Sequence, residues 1–390
     1  MLKSGEILLP VIAAAFLLFS ALEVRSQSKV LIDEPQFMID AQTAIDSLYN
    51  RNEEAARDIL SPWIESEPEH PLWILWNGME LWWSVLQDLN DDQHDETFFR
   101  KMQMADYEAN RLLRRQSDHP DALIIRAVAN GYAARHNANR GNWVTSMNIG
   151  RRAYQSYLRL MEVRPSLPDN DFAEGMKRYY AAYIPENFPM VRAVSWFLPD
   201  GDRNAGLASL TKASENGVFA RPEAAYFLGF ILLNYENDFE SSASVFKSLI
   251  DRYPDNGYYR RLYLSSLAQM RRFSDLRIAA EETLEHWNKY HPNDIGVMHE
   301  EVYHWIGRGY YHERSFEDAL QAFVKSFEAG LTLPNKRDRE YHTASAYFAG
   351  RSSEFLNNGS DAAWFYKTTL EQRAGDNVKR QAKDRLARIQ

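Results

Sequence analysis

What most limits this chain is a pairing of small and aromatic residues across a predicted turn. Between Tyr303 and Leu331, Ile306-Gly307 and Tyr310 fall on one helical period, and Phe316, Ala319 and Phe323 fall on a second. Two amphipathic helices joined by a short turn satisfy both. Glycine and alanine let the helices approach, and the aromatic rings fill the space they leave. Neither helix can bury its apolar face alone, so the pair must stack on others.

The arrangement recurs. Leu228-Gly229 precede Phe239, Ser242, Phe246, Leu249 and Pro254, displaced by one position, which predicts a longer turn. Gly350, Ala362 and Tyr366 repeat it, whereas 258–290 keeps only Leu264, Leu267, Phe273 and Leu276 and reads as a degenerate unit. These offsets resemble those of the tetratricopeptide repeat (TPR), a helix–turn–helix unit of about 34 residues. The resemblance implies stacked pairs in a right-handed superhelix, an α-solenoid whose concave wall holds other molecules.

Proline, glycine and asparagine clusters divide the rest of the chain into segments of helical period, with no convincing strand alternation. The expected fold is all-α, with eight antiparallel helix pairs near 36–66, 71–116, 120–164, 170–216, 222–253, 258–290, 296–329 and 338–373. After Asp376, Val378, Ala382, Leu386 and Ile389 lie near one face of a predicted tail helix that caps the last pair. Residues 27–165 form divergent N-terminal repeats, 166–221 a middle segment, and 222–390 the TPR-like repeats. Eight pairs in 390 residues exceed a strict repeat length. The excess is assigned to an acidic loop at Asn90 to Glu96 and to an insertion from Ile184 to Gly201 with Pro185, Pro189 and Pro199, too many prolines for one continuous helix.

The middle of the chain carries Phe188-Pro189, Phe197, Pro199-Asp200-Gly201-Asp202-Arg203, Gly206-Leu207, Leu210 and Ala213, then Glu223 and an apolar helix through Leu233. Over roughly 185–255 these resemble the central segment of the eukaryotic inclusion-body-clearance family of TPR-like proteins. That likeness implies an α-solenoid with an adaptor role and no chemistry. Read physically, Gly201 makes a turn, Asp202 caps a helix and Asn216-Gly217 end it.

The first residues read as an export signal. Lys3 precedes an apolar run from Ile7 to Phe19, and Val24-Arg25-Ser26 places small or β-branched residues before an expected cleavage after Ser26, so that 1–26 is a signal peptide. The run is broken by Pro10 and is shorter than the roughly 20 residues needed to span a bilayer, so no integral membrane segment is expected after cleavage. The absence of cysteine removes a disulfide framework, a thiolate nucleophile, a thiolate metal site and a lipid-modified cysteine. A periplasmic or extracellular bacterial location suits a chain of this length without disulfides. Asn358-Gly359-Ser360 then reads as a turn. A net charge of −9 argues against nucleic acid as partner, which calls for a basic face.

Catalytic signatures are weak. His299-Glu300-Glu301-Val302-Tyr303-His304 has one residue too many for the H-E-x-x-H zinc motif, which leaves its imidazoles about 140° apart on a straight helix. No phosphate loop, nucleophile elbow or dinucleotide fingerprint occurs, and pairs such as Asp91-Asp92 and Glu281-Glu282 read as solvated faces. A lytic transglycosylase is the main enzyme alternative, and no compact domain for its glutamate is found. No cofactor or metal site is expected. Trp73, Trp76, Trp82 and Trp83 crowd one predicted helix. Buried packing explains them, and an exposed aromatic platform is the competing reading.

The expectation is therefore a non-enzymatic exported scaffold or adaptor that holds a protein or peptide partner in a concave groove. The alternative is a helical glycan- or peptide-binding solute receptor of the envelope, favoured if the tryptophans line a groove. Alignment on Gly307 puts Glu301, His304, Arg308, Tyr311 and His312 on the groove wall. Alignment on Gly350 adds Tyr347 and Arg351, with Tyr226 and Arg261 at comparable places earlier. Arginine four residues from an aromatic or imidazole shares its helix face, which suits an extended peptide with acidic groups. Sequencing of the purified mature N-terminus is expected to begin at Gln27, and a start at Met1 refutes cleavage.

Overall fold

The structure, a computed structural model, describes residues 29–187, 201–294 and 296–389. The expected signal segment and the part of the insertion from 188 to 200 lie outside these residues. The described residues hold seventeen α-helices and no strand. They are α1 (Pro35–Tyr49), α2 (Glu53–Ser66), α3 (Leu72–Gln87), α4 (Asp95–Leu113), α5 (Pro120–Asn139), α6 (Trp143–Val163), α7 (Asn170–Asn187), α8 (Arg203–Asn216), α9 (Arg221–Ile231), α10 (Phe239–Arg252), α11 (Gly257–Gln269), α12 (Phe273–Tyr290), α13 (Val297–Glu313), α14 (Phe316–Leu331), α15 (Glu340–Phe355), α16 (Gly359–Leu370) and α17 (Asp376–Ile389). Sixteen of them make eight successive pairs at the expected positions. Each helix packs chiefly on its sequence neighbours, and first helices of adjacent pairs also touch at α3/α5, α11/α13 and α13/α15. The arrangement is compatible with a TPR-like stack.

One turn geometry joins the two helices in six of the pairs. Arg51, Gly141, Asn237, Arg271, Arg314 and Asn357 have φ between 55° and 75°, the left-handed conformation that ends a helix. Five of these turns close with the same backbone bond, in which Asn52, Asn142, Arg272, Ser315 and Asn358 donate to the carbonyls of Ser47, Asn137, Leu267, Tyr310 and Ser353. The sixth is stretched, and Asp238 N–H reaches Leu232 O. Its extra residue sits in a π-helical turn at Leu232–Glu236 and not in a longer loop. That turn absorbs the one-position displacement of Phe246. Asn52, Asp238 and Asn358 then cap the second helix by accepting from the N–H groups of Ala55, Ser241 and Asp361. Asn358, in the Asn-Gly-Ser triplet, is thus a turn residue.

Size complementarity binds each pair. A Cβ on Gly229, Gly307 or Gly350 would lie 2.7 to 2.9 Å from the ring of Phe246, Phe323 or Tyr366. Those three rings are fully buried. The degenerate pair α11/α12 inverts the pattern. Leu264 stands at the glycine position and Ala280 at the aromatic one, both fully buried in one apolar cluster, so the pair keeps close packing with the large side chain on the other helix. At the C-terminal end, Val378, Ala382, Leu386 and Ile389 of α17 pack on Tyr347, Ala362 and Tyr366, which caps the stack. Asp202 caps α8 through Ala205 N–H, and Gly201 crosses α7 where a Cβ would lie 2.1 Å from Ala182 N.

The N-terminal pairs return against the C-terminal ones. The largest apolar cluster joins buried residues of 31–133 to Tyr226, Leu233, Phe246, Leu249, Ile250, Tyr253 and Tyr259. At its rim Glu223 accepts from Tyr49 and Tyr132 hydroxyls and pairs with Arg135, while Asp46 accepts from Tyr253 and Arg221. The C-terminal end of α3 docks across the starts of α11, α13 and α15. Arg261 donates to the carbonyls of Leu86 and Gln87, and Gln87 Nε2 donates to Asp294. Arg339, only 2% exposed, donates to Asp88 at 2.8 and 3.0 Å and to Glu300 at 2.9 Å. Burial pushes the Glu300 carboxyl up and Arg339 opposes this.

Arg339→Met should cost about 3–5 kcal/mol, because Glu300 and Asp88 lose their shared cation in a site closed to water. Urea unfolding measures this, and Glu300→Gln in the same chain is expected to recover part of the loss. A cost below about 1 kcal/mol would show that the bridge does not hold the two halves together.

Candidate functional site

The nine predicted groove residues divide into four environments. Tyr226 is buried on α9, its hydroxyl 3.4 Å from that of Tyr258 and its ring 4.2 Å beneath the Arg135 guanidinium. Arg261 and Glu301 face each other at 3.6 Å, and Arg261 is committed to the end of α3. That end of the first-helix wall is therefore filled by the chain itself. His304 is buried with Nδ1 2.8 Å from Ser345 Oγ, and Ser345 lies 2.7 Å from Ser326 Oγ. Burial, and after it the charge of Arg308, pushes the His304 imidazole far below its ordinary pKa.

Arg308, Tyr311 and His312 form the third environment, at the opposite end of α13. The Arg308 guanidinium sits 4.5 Å over the Phe348 ring and 5.6 Å over Phe273. His312 stacks on Phe273 with centroids 3.4 Å apart, and Tyr311 meets Phe348, Phe316 and Phe355 edge to face. Arg308 is half-buried, has no ion pair among the described residues, and its Nε has no hydrogen-bond partner. Burial, and more weakly the nearby Arg271, lower its pKa. The first of these effects also lowers that of His312, followed by Arg308 and Arg271. Carboxylates are in excess in this chain, yet none among the described residues pairs with this guanidinium. The site thus combines an uncompensated cation with an aromatic wall.

Tyr347 and Arg351 lie beside it under the tail helix. Tyr347 is buried and donates to Gln381 Oε1 of α17, while Arg351 lies 3.7 Å from Glu354 and 5.2 Å over Phe355. Arg385 of α17 and Tyr366 also engage Glu354. Phe348 and Arg271 belong to the site without having been read from the sequence, and Phe273 was read only as a packing position. Phe348 follows Tyr347 directly, but only the packing of α15 on α13 brings its ring to Arg308.

The other candidates resolve into packing. Trp73, Trp76, Trp82 and Trp83 are all buried, with Trp73 Nε1 donating to Glu67 O and Trp76 Nε1 to Glu80. Glu80 in turn takes two bonds from Arg57. No helix among the described residues is long and apolar enough to cross a membrane. In comparisons with known proteins, no family model and no curated protein matches the chain.

Buried histidines on these helices tie stability to pH. His342 is fully buried, donates from Nδ1 to Phe327 O, and is pushed down to about 4, chiefly by burial. Below pH 6.5 the unfolded chain takes up a proton that the folded chain refuses, so stability falls as pH drops from 6.5 towards 4. His342 alone accounts for on the order of 3 kcal/mol when this is complete. Denaturation at pH 7 and pH 4.5 should show the loss. His342→Asn keeps a donor without a titrating group and is expected to shrink it; an unchanged pH dependence would contradict the assignment.

Proposed function

We propose that this protein is an exported, non-enzymatic TPR-like scaffold that holds an acidic, extended segment of a partner protein against α13 and α15. Eight helix pairs, the turn repeated in six of them and the glycine–aromatic complementarity support the repeat reading. The observation that carries the binding role is Arg308. A half-buried guanidinium without a carboxylate is costly to keep unless a ligand supplies one, and the Phe273 and Phe348 rings on which it lies suit a stacked side chain from the same peptide. The ligand's carboxylate accepts from Arg308, while His312 and Tyr311 border it. Arg261 and Glu301 act in this reading as supports at the closed end. The glycan-receptor alternative loses its main motive, because the tryptophans on which it depended are buried.

Fluorescence anisotropy with labelled acidic peptides of graded charge tests the proposal. Arg308→Ala is expected to weaken binding by about 1.5–3 kcal/mol, the range for a hydrogen bond to a charged group, with Arg308→Lys in between. Equal affinity in parent and Arg308→Ala, with circular dichroism unchanged, would remove this site.

A further inference from the structure

We infer that Asp255, His286 and His291 form a binding site for a divalent transition-metal ion of the zinc type. Asp255 lies in the turn between α10 and α11, His286 near the end of α12, and His291 is the residue that closes that helix. Positions five apart on a straight helix point about 140° away from each other and cannot chelate. Here the helix stops at Tyr290, and His291 has φ −130° and ψ 52°, which turns its ring back. Nε2 of His286 then lies 3.1 Å, and Nε2 of His291 3.2 Å, from the same oxygen, Oδ1 of Asp255. All three donor atoms are within 4.8 Å of one another.

The two separations from Asp255 fit one small ion. A tetrahedral zinc with bonds of about 2.0–2.1 Å places its ligand atoms roughly 3.3 Å apart, so the triad needs little movement to receive it. Two imidazoles and a carboxylate are a donor set that such ions favour over calcium or magnesium. The surrounding residues hold the ligands in place. Asn50 of the N-terminal pair donates to Asp255 Oδ2 and accepts from Asp255 N–H, while Trp287 lies 4.2 Å from the His291 ring and Tyr290 4.7 Å from that of His286. Asp255 and His291 also line a cavity of about 150 Å³ together with Gln87 and Asp294. The ion would fasten the turn before α11 to the end of α12, beside the point where α3 docks.

Isothermal titration of the chelator-stripped full chain with Zn²⁺ at pH 7.5 tests the site, with Co²⁺ as a spectroscopic probe. One equivalent should bind, and Co²⁺ should show the visible bands of a tetrahedral nitrogen and oxygen site. His286→Gln and His291→Gln are each expected to weaken binding at least about tenfold. Asp255→Asn, which keeps the shape and the Asn50 contacts, should do the same with the circular dichroism spectrum intact. No stoichiometric binding by the parent overturns the inference. So does binding that survives in these variants, which would place the ion elsewhere, for instance at the buried His70, His119 and Asp121 group. Loss of zinc binding with acidic-peptide binding retained separates this site from that of Arg308.

Discussion

The bridge that Arg339 makes between Glu300 and Asp88 joins the two halves of the chain. A stack of helix pairs needs contacts only between neighbours, and nothing in such a stack requires its second pair to meet its last ones. Here the cation at the start of α15 reaches both α13 and the end of α3. With two carboxylates around one buried guanidinium, removing the guanidinium leaves both carboxylates without compensation. Arg261 supplements the bridge by donating to the last carbonyls of α3, where the helix dipole is negative. It fills one end of the wall formed by the first helices, whereas Arg308 further along α13 stays half-exposed.

Within the pairs, a different constraint operates. The turn after each first helix is left-handed in six pairs, and in three of them arginine occupies it although glycine would fit with less strain, at about 1–2 kcal/mol each. The interface tolerates variation so long as volume is conserved. Gly307 against Phe323 and Leu264 beside Ala280 are two solutions of one packing problem, and the π turn after α9 restores register where one residue has been added. Successive helix pairs can thus keep one mode of packing with different residues at the interface.

The proposed sites follow from these constraints. Arg308 differs from Arg261 and Arg339, which have carboxylate partners, in having no ion pair among the described residues. The imidazoles of His286 and His291 meet because a helix ends between them, and their carboxylate is anchored by Asn50 from the far end of the chain.

The sequence by itself determined the helices. The positions of all eight pairs, the tail cap and the Asp202 cap were legible because hydrophobic period, capping residues and helix-ending residues act within a few positions of one another. It also determined that the glycines face aromatic rings, since their offsets repeat. Only the tertiary structure decided which polar residues stay available. His304 shares its helix face with Arg308, and Tyr347 shares its own with Arg351, yet packing buries His304, Tyr347 and Tyr226 and leaves Arg308 half-exposed. The return of α3 onto α11, α13 and α15, the role of Arg339, and the convergence of His286 with His291 were not legible either. Each depends on contacts between residues far apart in the chain or on a backbone turn beyond a helix end, and periodicity within one helix carries no information about them.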